Sequence, residues 1–179
     1  MTESTDALLE RARQARIERR NDDARRHLEE AIELCRRDGP PADSARALTE
    51  LGRLERDLRR YEHARENYER AAEVYRAEAN ALKLAHTIRH VGDILRDSGR
   101  GSLAEPYYDE ALDIYRRDER TPPLDLANTI RGLALVKQDT GAVVEARALW
   151  SEARDLYSAV GVKEGVAECE RRLTRLGSQ

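Results

Sequence analysis

One spacing recurs four times along this 179-residue chain. Small and large residues alternate at steps of four, three and four in Ala24–Leu28–Ala31–Cys35, Ala64–Tyr68–Ala71–Tyr75, Ala104–Tyr108–Ala111–Tyr115 and Ala146–Trp150–Ala153–Tyr157. Such steps place all members of a set on one helix face. Successive copies begin 40, 40 and 42 residues apart. A fixed period of this size predicts a tandem array of helical units. Within each set a neighbouring helix can approach closely at Ala while the larger side chain fills the space beside it.

A second helical face lies upstream of each copy: Leu8–Ala12–Ala15, Leu48–Leu51–Gly52, Ile88–Val91–Gly92 and Ile130–Leu133–Ala134. Gly52, Gly92 and Ala134 fall at equivalent places, where the lack of a bulky side chain lets the two helices of a hairpin cross closely. Gly in a helix interior costs about 1 kcal/mol against Ala, so its recurrence implies that packing offsets the cost. Gly99 and Gly141 stand between the two helices of copies three and four, where a left-handed turn residue is useful. Gly39-Pro40-Pro41 and Thr121-Pro122-Pro123 separate copies one from two and three from four. Ser102 to Glu105 reads as a capping box, and Thr121-Pro122 as an N-cap followed by a first-turn proline. The stretch from Arg76 to Leu84 has no breaker and predicts either a tight turn or one bent helix.

Composition agrees with a thin core spread along stacked helices, since charged residues make up 37% and aromatic residues 4% of the chain, with no Phe. The net charge of −3 argues against a general nucleic-acid binder. The opening MTESTD carries no basic cluster or apolar run, so no leader is expected. No stretch approaches the roughly 20 apolar residues of a membrane helix. Cys35 and Cys169 are isolated thiols, which points to a reducing cytoplasm.

At this point the pattern resembles the tetratricopeptide repeat. That family's signature of apolar, small and aromatic places is met in copy three by Ile88, Val91, Gly92, Leu95, Ala104, Tyr108 and Ala111. Copy two departs with Glu55, and copy four with Lys137, at the place Leu95 holds. The periods exceed the family's usual 34 or so and are similar to the longer repeats of kinesin light chains and of bacterial adaptor or regulator proteins. The resemblance implies an all-α, right-handed α-solenoid of about four helical hairpins plus a C-terminal capping helix. One array over 1–179 is expected, with repeats at about 5–38, 42–78, 82–118 and 124–160 and a capping helix at about 162–177. Copy one is the most degraded, with Arg11 where its sisters carry Leu51, Val91 and Leu133.

In this family the first helix of each hairpin lines a concave groove that holds an extended or helical ligand. Carried onto this sequence, the groove positions are Arg13 and Arg16, then Arg46, Thr49, Arg53 and Arg56. Copy three adds His86, Arg89, Asp93 and Arg96, and copy four adds Asn128, Arg131, Leu135 and Gln138. The groove is therefore expected to be basic. Guanidinium forks suit carboxylates, so the implied partner is an acidic or phosphorylated peptide or protein segment. The competing expectation is a solvated face, with Arg89 paired to Asp93 and Arg53 to Asp57. Thr49, Arg53, His90 and Gly132 hold places where chaperone adaptors carry their Lys and Asn clamp, which speaks against a chaperone tail as ligand.

Other chemistry is set aside. His86 and His90 stand one turn apart without the surrounding motif of a zinc site. Gly99-Arg100-Gly101-Ser102 lacks the Lys-Ser/Thr ending of a phosphate loop. Cys35 occupies the slot of Tyr75, Tyr115 and Tyr157 and reads as core. No catalytic residue, metal or cofactor is expected. The leading expectation is a cytoplasmic scaffold or adaptor that binds protein, with no nucleic-acid or membrane partner. A self-assembling homodimeric module, or a sensor domain of a larger regulator, is the alternative.

Overall fold

The computed structural model describes residues 4–177, and every regular element among them is helical. The helices are α1 (Thr5–Ile17), α2 (Asn21–Asp38), α3 (Pro41–Asp57), α4 (Tyr61–Ala77), α5 (Ala81–Asp97), α6 (Glu105–Arg117), α7 (Pro123–Asp139), α8 (Val143–Ala159) and α9 (Lys163–Gly177). The chain divides into two compact units, Met1–Thr87 and Ile88–Gln179, and the division falls within α5.

In the first unit α1 packs on α2, α2 on α3 and α3 on α4. The Ser4 side chain caps α1 by accepting a hydrogen bond from the Ala7 N–H at 3.3 Å. The alternating residues form the core: Ala12, Ala15, Ala24, Leu28, Leu51 and Leu54 bury one cluster, and Leu8, Ala31 and Ala47 another. Gly52 faces the Tyr68 ring so closely that a Cβ there would lie 2.8 Å from two ring carbons. Burying a large side chain contributes about 1.5–3 kcal/mol, which outweighs the helix cost of the glycine. Cys35 is buried as core and is a free thiol. The stretch between α4 and α5 is a tight turn, with Ala79 left-handed at φ 53°. Arg19 and Arg59 take the same conformation, at φ 60° and 58°, in the turns inside the two hairpins.

In the second unit α6 packs on α7, α7 on α8 and α8 on α9. Gly99 and Gly141 turn the chain at φ 80° and 81°. Tyr108, Tyr115, Trp150 and Tyr157 are all buried. The Tyr108 ring stands against two glycines: a Cβ on Gly92 would lie 3.0 Å from it, and one on Gly132 only 2.4 Å. Helix α9 buries Cys169 and Leu176 and leaves Glu170, Arg171 and Arg175 exposed.

Two sequence expectations about helix ends are corrected. Ser102 does not form a capping box with Glu105. It sits in a short 3-10 turn, Gly101–Leu103, and α6 starts at Glu105 with Ala104 before it and no side-chain cap. Glu105 instead accepts a hydrogen bond from Lys137 Nζ at 2.7 Å. Nor does Thr121 cap α7: Pro122 holds that place and Pro123 opens the helix. A residue before proline is pushed out of the helical region, so Pro122 stays extended at φ −61° and ψ 126°. The Thr121 hydroxyl donates to the Tyr115 carbonyl at 2.8 Å.

Candidate functional site

In α1 and α3 the arginines are exposed or half-exposed while most of the Ala and Leu positions are buried. In the first unit α1, α3 and the start of α5 surround one hollow of about 610 Å³. Helix α1 contributes Leu9, Ala12, Arg13, Arg16 and Ile17, with the acids Asp6 and Glu10. Helix α3 contributes Arg46, Thr49, Glu50 and Arg53. Tyr75 of α4 and Lys83, His86 and Thr87 of α5 complete the wall, with Leu28 of α2 at the base. Six of the residues singled out from the sequence therefore share one surface: Arg13, Arg16, Arg46, Thr49, Arg53 and His86. Arg56, on the same helix, is not part of the lining.

The arginines of the hollow are not bare. Arg13 Nε lies 3.3 Å from Glu10, and Arg53 Nη1 lies 3.6 Å from Glu50. Arg46 Nη1 donates to Asp43 at 3.0 Å and across to Asp6 of α1 at 3.1 Å. Arg16 Nη1 donates to Asp57 of α3 at 3.2 Å. The expected Arg53–Asp57 pair is thus replaced by Arg53–Glu50 and Arg16–Asp57. The Asp43 hydrogen bond, above all, raises the Arg46 pKa from its ordinary value. Exposed pairs of this kind contribute only about 0–1 kcal/mol each, so a ligand's carboxylates can exchange for them. Lys83 has no acidic partner among the described residues. Burial raises the Tyr75 phenol, which keeps it neutral and able to donate.

In the second unit Arg89, Arg96, Asn128 and Arg131 are committed internally. Arg89 is only 7% exposed and donates to Asp93 at 3.0 Å, so the pair of the competing sequence expectation forms, but buried rather than on a solvated face. The Tyr108 hydroxyl donates to the other Asp93 oxygen at 2.7 Å, and Arg96 Nη1 lies 3.4 Å from that hydroxyl. Burial alone would raise the Asp93 pKa. The His90 hydrogen bond and the charges of Arg89, His90 and Arg96 win and hold it well below the carboxylate range. Arg131 makes two hydrogen bonds to Glu168 of α9, at 2.7 and 3.0 Å. Asn128 accepts from the Tyr157 hydroxyl at 2.8 Å. Gln138 is half-buried on α7. The acid on α9 thus takes the place beside Arg131 that an acidic ligand would need.

Sequence reasoning missed Lys83, Tyr75 and the acids of the hollow. Part of that signal was present, because Glu10, Asp43 and Glu50 each stand three residues before Arg13, Arg46 and Arg53. Among the described residues no group of three or more His, Cys, Asp or Glu is placed to hold a metal, and no helix is long and apolar enough to cross a membrane.

A family model described as tetratricopeptide repeat matches residues 4–77 and 43–117. No curated protein matches the sequence. Among solved structures, the chain is similar to BtubC (BKLC) from P. vanneervenii, with a TM-score of 0.74 at 18% identity over 97% of this chain and 79% of that one. It is similar to aspartyl phosphate phosphatase F from Bacillus subtilis, with a TM-score of 0.84 at 14% identity over 93% of this chain. The chain spans only 43% of that phosphatase. It is also similar to a putative kinesin light chain with nearly identical repeats from Podospora anserina, with a TM-score of 0.70 at 14% identity over 99% and 98% of the two chains. At these identities the likeness is one of fold.

Proposed function

Because the chain belongs to the tetratricopeptide-repeat family, we propose that it is a protein-binding scaffold or adaptor that holds an acidic segment of another protein in the hollow of its first unit. The observation that carries this reading is the convergence of Arg13, Arg16, Arg46, Arg53 and Lys83 on one surface that also exposes the apolar Leu9 and Ile17. A surface with both cationic and aliphatic parts suits a peptide with acidic and apolar side chains. In the second unit Arg89, Arg96 and Arg131 serve the fold, and Asn128 with them. The reading places the chain in the cytoplasm, where the buried Cys35 and Cys169 remain thiols.

The test is fluorescence anisotropy with labelled acidic, neutral and basic peptides of equal length. The acidic set binds, and binding weakens steeply with salt as the charges are screened. Arg13→Glu with Arg53→Glu weakens it about tenfold or more, since two ion pairs are replaced by repulsion. Both side chains are exposed, so helicity by circular dichroism stays unchanged. Equal binding by the double variant, or no preference for acidic peptides, rules the reading out. Light scattering at two concentrations separates it from self-association, with a concentration-independent monomer expected.

A further inference from the structure

We propose that the bound segment carries two acidic side chains four residues apart in an extended stretch, with an apolar side chain midway, and that it binds by taking Arg46 and Arg16 from Asp6 and Asp57. This rests on the hollow being the binding site. Two ion pairs tie α1 to α3 there: Arg46 to Asp6 at 3.1 Å near the start of both helices, and Arg16 to Asp57 at 3.2 Å near their ends. Asp6 and Arg16 stand ten residues apart on α1, so the two pairs are about 15 Å apart along the helix. An extended chain advances about 3.3 Å per residue and returns to the same side every second residue. Acids four apart therefore span about 13 Å on one side, within the reach of two flexible arginines. The residue midway points the same way and meets Leu9 and Ala12, which lie between the two pairs on α1.

The exchange is electrostatically balanced. Asp6 and Asp57 are 80% and 57% exposed at their side chains, so on displacement they return to water that already surrounds them. Arg16 and Arg46 keep a carboxylate throughout. Lys83 has no acidic partner of its own among the described residues and gives a net preference for an anionic ligand. The internal acids act as competitors that set the affinity.

The experiment is anisotropy with peptides that carry one Leu and two Glu, the two Glu placed two, four, six or eleven positions apart. The spacing of four is expected to bind best. Asp6→Asn with Asp57→Asn removes the competitors that reach across between α1 and α3, leaving Asp43 on Arg46, and is expected to tighten binding roughly three- to tenfold. Arg16→Ala with Arg46→Ala abolishes the spacing preference. Best binding at eleven, which fits a helical ligand, overturns the inference, and so does failure of the Asn variant to tighten. If spacing has no effect while Arg13→Glu with Arg53→Glu still weakens every acidic peptide, the inference falls and the proposed function stands. If no acidic peptide binds, both fall.

Discussion

At the scale of single residues, the backbone rather than polar chemistry sets the strictest limits. Gly132 faces the Tyr108 ring at a distance that leaves no room for a methyl group, and the ring is fixed by its hydrogen bond to Asp93. Gly132→Ala is therefore expected to destabilise the protein by about 2–3 kcal/mol, through overpacking that neither helix can relieve. Gly177→Ala, where nothing lies within 4 Å, is the neutral control in the same urea titration. The turns give a prediction of opposite sign. Arg59 is held left-handed at φ 58°, a conformation that costs a side-chain-bearing residue about 1–2 kcal/mol and that glycine adopts freely. The equivalent places forty residues on and beyond are Gly99 and Gly141. Arg59→Gly is expected to raise stability by about 0.5–1 kcal/mol, the remainder being lost to the greater freedom of glycine in the unfolded chain. Thermal melting checks it, with a rise of about 2–3 °C.

At the scale of elements, the informative feature is how one helix pair meets the next. Glu55 of α3 is buried and accepts from Arg25 Nε of α2 at 2.7 Å. At the equivalent junction of the second unit, Lys137 of α7 donates to Glu105 of α6 at 2.7 Å. The same contact is made with the charges exchanged. These are the two places where the sequence departs from the apolar pattern that Leu95 keeps, and each departure is answered by an ion pair. Arg25→Ala is expected to cost about 2 kcal/mol, because among the described residues it leaves the buried carboxylate with Arg60 as its one cation, at 3.7 Å. Combining Arg25→Glu with Glu55→Lys recreates the polarity of the other junction and is expected to recover most of that loss. A double-mutant cycle measures the coupling, and a cycle that sums to zero refutes it. The hairpins themselves were legible from sequence, because Ala, Tyr and Gly at fixed steps are what close helix crossing requires. The junction pairs were not, because Glu55 and Lys137 look like lapses until Arg25 and Glu105 are seen beside them.

At the scale of the whole molecule, acid stability should be governed by the second unit. Asp93 and Glu168 both have pKa values below their ordinary ones. For Glu168, burial pushes upward but the Arg131 hydrogen bonds prevail. A carboxyl whose folded value is depressed stabilises the protein fully above its unfolded value, near 4, and loses that contribution as pH falls through the folded value. The melting temperature is expected to hold between about pH 7 and 5 and to drop steeply below about 4. Asp93→Asn lowers it at pH 7 and flattens the drop, as calorimetry over that range will read. The candidate site was legible only in part. The repeat register placed Arg13, Arg16, Arg46 and Arg53 together, but it could not reveal that Asp6 and Asp57 reach them from the neighbouring helix, or that α9 supplies Glu168 to Arg131. Such pairings join residues some forty positions apart and depend on how far one helix is slid along another. The exchanged polarity at the two junctions has a consequence for assembly. An α2 docked on α7 would set Arg25 against Lys137, and an α6 docked on α3 would set Glu105 against Glu55. Like charges in those half-buried seats penalise wrong orders of stacking and trading of hairpins between molecules, so modules built on one pattern carry a key that admits each to one place in the sequence.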